Sequence, residues 1–268
     1  MDRKDIMERK LKNKVIRLLR EGEIDEIVRI GISATPLLIA ALKDKEWDVR
    51  MNAAEAIGKI AEANPDSKEI LKAIPDLINA LNDEYLNVRG NAAEALEKIG
   101  FDKIPVEGKV LALLILERTD EVVNIGKDAI PTLIAALKDD DWSVQYKAAE
   151  ALEKIIEKLI KKGEFEEALE TIRSTTTTIM NFYKGAFRTA RKKNKTMGKD
   201  RELLKQRIKL LEKLESLTNE VCARVKEKEG LPNPLDEKEP MEWKGAKRND
   251  NKNQNAKNNL LHKSFLTK

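Results

Sequence analysis

The sequence predicts an all-α solenoid of stacked helix pairs, followed by an antiparallel helical hairpin and a disordered tail. Three observations predict it. Residues 31–60 and 126–155 are identical at 18 of 30 positions without a gap, at an offset of 95. A third copy of the pattern lies between them at residues 74–99. Self-similarity at a fixed spacing is the signature of a repeat array, whose units cannot bury their apolar faces alone. The composition agrees: 41% hydrophobic and 37% charged but only 4% aromatic, an aliphatic interior under a charge-laced surface.

Each copy reads as two helices. Pro36, Pro75 and Pro131 open the first, in PLLIAALKD, PDLINALND and PTLIAALKD. Proline at a helix start sacrifices no hydrogen bond, because that amide has no intrahelical acceptor. Each run ends at an aspartate, Asp44, Asp83 or Asp139. The second helix follows, as in WDVRMNAAEAIGKI, with apolar residues at Val49, Ala53, Ala56, Ile57 and Ile60 on one face. The small alanines allow close approach of neighbouring helices. Upstream, Val15, Asp25, Glu26, Val28, Ile30 and Gly31 match Val110, Asp120, Glu121, Val123, Ile125 and Gly126 at the same offset. The duplicated unit is therefore larger than a helix pair, about three helices plus a following pair. The solenoid is assigned to residues 10–160.

Residues 161–229 predict the hairpin. Its first helix is expected to weaken at the threonine run 175–178, and its second carries a stripe at Leu204, Ile208, Leu211, Leu214, Val221 and Val225. Residues 230–268, with three prolines and the run NDNKNQNAKNN, predict disorder, since they hold too little apolar surface to offset ordering.

The repeated pattern, P-x-L-I-x-A-L-x-D followed by V-R-x-x-A-A-x-A-L, resembles the HEAT repeat, in the short form of phycobilin lyases and archaeal proteins. The resemblance covers about residues 12–160. It implies a right-handed solenoid whose second helices line a concave face. It also implies that a turn aspartate pairs with an arginine six residues on, in a ladder between repeats: Asp44 with Arg50, and Asp83 with Arg89. Asp139 meets Gln145 instead, so an interruption is expected there. One HEAT-repeat enzyme, deoxyhypusine hydroxylase, holds iron through His-Glu pairs; this chain has none.

Charge is divided unevenly. Residues 1–160 carry 25 basic and 31 acidic side chains, and residues 161–268 carry 26 and 16. A polyanion should prefer the second part. One cysteine, Cys222, permits no internal disulfide and suits a reducing cytoplasm. The Lys/Glu/Ile bias fits a heat-adapted, thermostable protein. No signal peptide or membrane span is expected: the N-terminus is charged throughout, and the longest apolar run, residues 110–116, is short.

Chemistry is constrained by the same inventory. One histidine, His262, and one cysteine exclude the usual structural zinc site. Neither phosphate-binding glycine motif occurs. No cofactor and no catalytic constellation is expected. Glu55, Glu94 and Glu150 each precede a lysine, Lys59, Lys98 or Lys154, by four residues, a stabilising order on a helix. Trp47 and Trp142 are equivalent and read as plugs over the inter-helix turn. Met51, Asn52, Asn91, Tyr146 and Lys147 vary between copies on the second helices and are the candidate partner-binding residues. Residues 184–199 hold Lys184, Arg188, Arg191, Lys192, Lys193, Lys195 and Lys199 with no acid, near Phe182, Tyr183 and Phe187. These could contact nucleic acid or another polyanion, or form a solvated turn.

The expected role is therefore non-catalytic: a scaffold or adaptor holding a protein on its concave face. Two alternatives stand beside it. One is a nucleic-acid-associated protein using residues 184–199. The other is a chaperone-like lyase subunit of the phycobilin-lyase type, which a lone Cys222 supports poorly. Oligomeric state is not legible.

Overall fold

The computed structural model describes residues 3–193 and 200–229, with side chains at 5–181, 209 and 211–225. Every regular element among them is helical. Two compact units result, Met1–Val225 and Lys226–Lys268, and of the second only the helix end to Glu229 is described. The expected tail therefore lies outside the described residues. The boundary expected at residue 160 falls inside a helix, α11 below.

The elements run in pairs. The first pair is α1 (Arg3–Glu21) with α2 (Ile24–Ile30), and the second is α3 (Thr35–Ala41) with α4 (Trp47–Ala63). A short α5 (Lys68–Leu71) precedes the pair α6 (Ile74–Ala80) and α7 (Leu86–Ile99). The duplicated half then restarts with α8 (Val106–Ile115) and α9 (Thr119–Ile125), and continues with α10 (Ile130–Ala136) and α11 (Trp142–Lys162). The unit shared at the 95-residue offset is thus four helices, with α5–α7 inserted after its first use. Two long helices close the described chain, α12 (Phe165–Lys193) and α13 (Asp200–Glu229). α12 runs unbroken through its threonines. Thr171 returns its hydroxyl to the Glu167 carbonyl, and Thr175 and Thr176 are buried.

The prolines sit at the second residue of α3, α6 and α10 rather than the first. The logic is unchanged, because the first several amides of a helix lack intrahelical acceptors. Each of these helices ends at an alanine, and the aspartate three residues on makes the turn. Asp44, Asp83 and Asp139 accept the amides of Glu46, Tyr85 and Asp141 at 3.0, 3.0 and 2.8 Å. A side chain that bonds its own backbone two residues ahead replaces a backbone turn and launches the next helix.

One aliphatic core runs through the pairs. Leu38, Ile57, Leu77 and Leu96 are wholly buried, with Ala53, Ala54, Ala92 and Ala93 between the helices. α4 and α7 pack most intimately. A Cβ on Gly58 would lie 3.1 Å from the Ala95 Cα, so the glycine sets how closely the two backbones meet. α13 buries Leu211, Leu214, Leu217 and Val221, and its Lys213 reaches Glu157 of α11 at 3.0 Å.

The arginines link neighbouring copies, and here the structure corrects the expected pairing. Arg50 does not form its ion pair with Asp44. Its Nε and Nη2 donate to Asp83 of the next copy at 2.6 and 2.9 Å, while Nη1 donates to the Asp44 carbonyl at 2.8 Å. Arg89 likewise grips Asp139 through both terminal nitrogens at 2.8 Å. Gln145 ends the series by donating to the backbone carbonyl of Asp139. The rung from α7 to the α10–α11 turn is direct because α9 has only seven residues. Its start lies beside the far half of α7, where Arg118 meets Glu97, and beside mid-α11, where Asp120 meets Lys154 at 2.9 Å. Arg89, in the first turn of α7, is left to reach Asp139 in the turn before α11.

These rungs are shielded. The Arg89 and Asp139 side chains are 6% and 9% exposed, and Arg50 and Asp83 are each 11% exposed. Asp139→Ala strands a buried guanidinium and should cost about 3 kcal/mol, read by urea or thermal unfolding. Lys213→Ala, at an exposed pair, should cost under about 1 kcal/mol. Equal costs would mean that the rung contributes nothing.

Burial alone would raise the Asp83 carboxyl, but the bonds from Arg50 and the Tyr85 amide outweigh it. With the charges of Arg50 and Arg89, they hold it below its ordinary value. A depressed carboxyl stabilises the fold above the unfolded value, near about 3.9, and that contribution is lost as pH falls through the folded value. Asp83→Asn should therefore lower stability at pH 7 and flatten its decline below about pH 4. An unchanged acid limb in the variant would remove Asp83 from the account.

Candidate functional site

The Arg–Asp rungs hold the first turns of α4, α7 and α11 side by side, and these turns are where the solenoid exposes large apolar side chains. Trp47, Tyr85, Leu86, Trp142 and Tyr146 are 38, 41, 61, 62 and 47% exposed. Among the described residues the other large exposed apolar side chains are Ile6 and Met7, on α1. Trp47, Leu86 and Trp142 are the opening residues of their helices. The preceding turn fixes that placement: the aspartate has taken the amide two residues ahead, so the next residue starts the helix at its outer rim.

The first two turns of the row are in direct contact. The Trp47 and Tyr85 rings stack at 5.4 Å with 18° between planes. The Arg50 guanidinium lies 5.7 Å from the Tyr85 ring centre, beneath the stack. Both tryptophans thus fail to plug the inter-helix turn, as the sequence had suggested. The alanines and Leu/Ile pairs fill that interior already, and a helix-opening residue faces outward.

Carboxylates flank the row. Residues 44–48, 83–87 and 139–143 read DKEWD, DEYLN and DDDWS, eight acids and one lysine. Four of the eight have cationic partners: Glu46 takes Arg20 at 3.0 Å, Asp83 and Asp139 hold the rungs, and Glu84 is a second, looser partner of Arg50. Asp141 caps α11 by accepting the Ser143 amide at 2.9 Å. Glu84 lies 3.8 Å from Arg50 and is largely exposed.

The residues that vary between copies do not form one open face. Asn52 is buried, and its amide donates to the Leu19 carbonyl at 2.7 Å. Asn91 donates to the Met51 carbonyl at 3.2 Å, and Met51 packs partly against the core. Lys147, 14% exposed, pairs with Glu117 at 2.6 Å. Only Tyr146 stands in solvent, and it joins the aromatic row. Of the expected helical pairs, Glu55–Lys59 and Glu150–Lys154 form at 3.1 and 2.9 Å. Each lysine also holds the equivalent aspartate, Asp25 or Asp120, of the preceding pair. Lys98 departs from the pattern and pairs with Glu62 of α4 at 2.8 Å instead of Glu94, because α4 lies against it.

The basic segment falls at the limit of the described residues. Lys184, Arg188, Arg191, Lys192 and Lys193 lie on the last turns of α12, with their side chains outside the description. Lys195 and Lys199 lie outside the described residues altogether. Cys222 is exposed on α13. Among the described residues no three His, Cys, Asp or Glu side chains converge on a metal-sized site, and no helix is long and apolar enough to cross a membrane. Two open grooves, 360 and 310 Å³, lie between α9 and α11. Their lysines are largely engaged: Lys154 with Asp120 and Glu150, Lys158 with Asn124 at 3.2 Å.

The row was half legible. Trp47, Leu86 and Trp142 share one position of the repeat, just after the turn aspartate. That position lies outside the core spacing of the second helix, which begins at Val49. This signal could have placed them outward.

No curated protein matches the chain. Solved structures similar to it include two crystal structures of engineered proteins. One is 21% identical, covering 77% of this chain and 90% of its own, with a TM-score of 0.30. The other is 19% identical, covering 67% and 97%, with a TM-score of 0.28. The HEAT-repeat family profile matches three overlapping stretches, residues 8–74, 35–126 and 75–177, which take in the helix pairs and rungs described above and most of the chain. The chain is a member of the HEAT-repeat family.

Proposed function

We propose that the protein is a non-catalytic scaffold that docks a protein partner along the edge formed by the first turns of α4, α7 and α11. One observation carries this reading. Among the described residues, five of the seven large exposed apolar side chains gather in that row. Aromatic anchors with a polar rim are what interface cores are made of. The variable residues first suggested a docking face on the second helices. The edge is preferred because Asn52, Asn91 and Lys147 are tied to neighbouring helices. The hairpin of α12 and α13 is proposed to close the stack, its apolar stripe facing α11. The acidic rim disfavours a polyanion at this edge, and the nucleic-acid reading rests only on the sequence of residues 184–199.

Trp142→Ala and Tyr146→Ser, at the more exposed sites, should each cost about 0.5 kcal/mol or less, and Trp47→Ala, which breaks the stack on Tyr85, about 1 kcal/mol more, so the triple variant should stay folded with a modestly lower midpoint. Affinity purification from the source lysate with quantitative mass spectrometry should show a defined set of proteins depleted on the order of tenfold or more relative to wild type. Full retention of that set by the triple variant would place docking elsewhere.

A further inference from the structure

We infer that the partner presents a Lys/Arg-rich segment, laid across the three turns so that its cations meet both the exposed rings and the flanking carboxylates. This rests on the docking reading above and names the chemistry of the occupant.

The argument is one of charge and reach. The three turns bring eight acids and one lysine to the rim of the aromatic row. Two of the acids are neutralised from inside by Arg50 and Arg89, and one by Arg20. What remains is acidic: Asp44, Asp48, Asp140 and Asp141, with the largely exposed Glu84 only loosely held by Arg50, against Lys45. Lys43, just behind the first turn, is already held by Asp76 at 2.8 Å. The first 160 residues as a whole are net acidic, so the long-range field has the same sign as the rim. An acidic or neutral apolar segment would strip water from these carboxylates without pairing them, which disfavours it. A basic segment pairs them and also gains the ring faces, since a guanidinium or ammonium over tryptophan or tyrosine is attracted by the ring quadrupole. Arg50 already makes that contact with Tyr85, whose ring also stacks on Trp47, and the more exposed rings of Trp142 and Tyr146 offer it to cations of the partner. α4 and α7 pack together, with axes about 10 Å apart, and the Arg89–Asp139 pair brings the α10–α11 turn within one side chain's reach of α7. An extended segment of roughly 8–12 residues can span the three turns.

The test uses the full-length chain and three labelled 12-residue peptides of one pattern, with alternating Leu at fixed positions and Lys/Arg, Gln or Glu between them. Binding is followed by fluorescence anisotropy at low and at moderate salt. The basic peptide should bind at least tenfold tighter than the Gln peptide and weaken with salt. It should lose fivefold or more with Trp47→Ala and Trp142→Ala, and likewise with Glu84→Lys and Asp140→Lys. Asp128→Lys, in the turn after α9 at the opposite ends of the helices, should change its binding less than twofold. If the Gln or Glu peptide binds as well as the basic one and needs the tryptophans, the edge docks proteins but the inference about charge is wrong. If the basic peptide binds equally to the tryptophan variants or weakens as much with Asp128→Lys, its attraction is diffuse and both readings of the edge fail. Absence of binding by all three peptides would also overturn the inference. Salt-dependent self-association of the chain, competing with the basic peptide, would replace the outside partner with this chain's own basic segment.

Discussion

A guanidinium taken from water must find its hydrogen bonds elsewhere, and in this chain no single repeat supplies them. Arg50 takes the Asp44 and Lys45 carbonyls of its own turn and both oxygens of the carboxylate of the next copy. It therefore gauges the distance between two successive turns, and only one stacking register satisfies it. Arg89 repeats the demand between α7 and the α10–α11 turn. Apolar packing between alanine-rich helices would tolerate small slides and rotations, since methyl groups make few directional demands. The forked pairs do not. Because they lie at the turn ends rather than at mid-helix, they fix the edge of the solenoid most tightly. The Trp47 and Tyr85 rings, from successive copies, can stack for that reason.

The two uses of the four-helix unit show how one constraint can be met by different residues. At the α1–α2 turn the chain needs a left-handed residue, and Gly22 supplies it at φ 73. At the equivalent α8–α9 turn that position is Glu117, at φ 63, a conformation that costs a side-chain-bearing residue about 1 kcal/mol. The partner position has changed with it. Asn52, opposite Gly22, bonds the Leu19 carbonyl; its counterpart Lys147 reaches the Glu117 carboxylate, and the bond holds that carboxyl below its usual range. The strained residue is kept by an ion pair that a glycine could not have made. The divergence of Asn52 and Lys147 is thus explained by the turn beside each, without reference to a ligand.

That outcome shows which parts of the sequence could be read directly. Periodicity gave the helices, because Val49, Ala53, Ala56 and Ile60 must share a face whatever surrounds them. Turn aspartates and helix-opening prolines were legible for the same local reason. Pairing across repeats was not. Arg50 has acidic residues both six behind and thirty-three ahead, and only three-dimensional stacking decides between them. Lys98 illustrates the same limit: the i−4 rule names Glu94, while the neighbouring helix offers Glu62. Burial of the tryptophans was misjudged because equivalence within a repeat says that a position matters, not which way it faces.

The tryptophans themselves bear on what the edge is for. Between the two copies of the turn, Lys45 has become Asp140, Glu46 has become Asp141, and Asp48 has become Ser143, yet Trp47 remains as Trp142. Packing within the chain does not account for this, since Trp47 stacks on Tyr85 whereas Trp142 is 62% exposed. Two sites with such different internal contacts share little structural reason to hold the same large ring. What they share is position at the rim, next to a carboxylate-rich turn tied to its neighbour by an arginine. In the proposed docking reading, the requirement common to both acts from outside the chain, through a partner that meets several repeats at once.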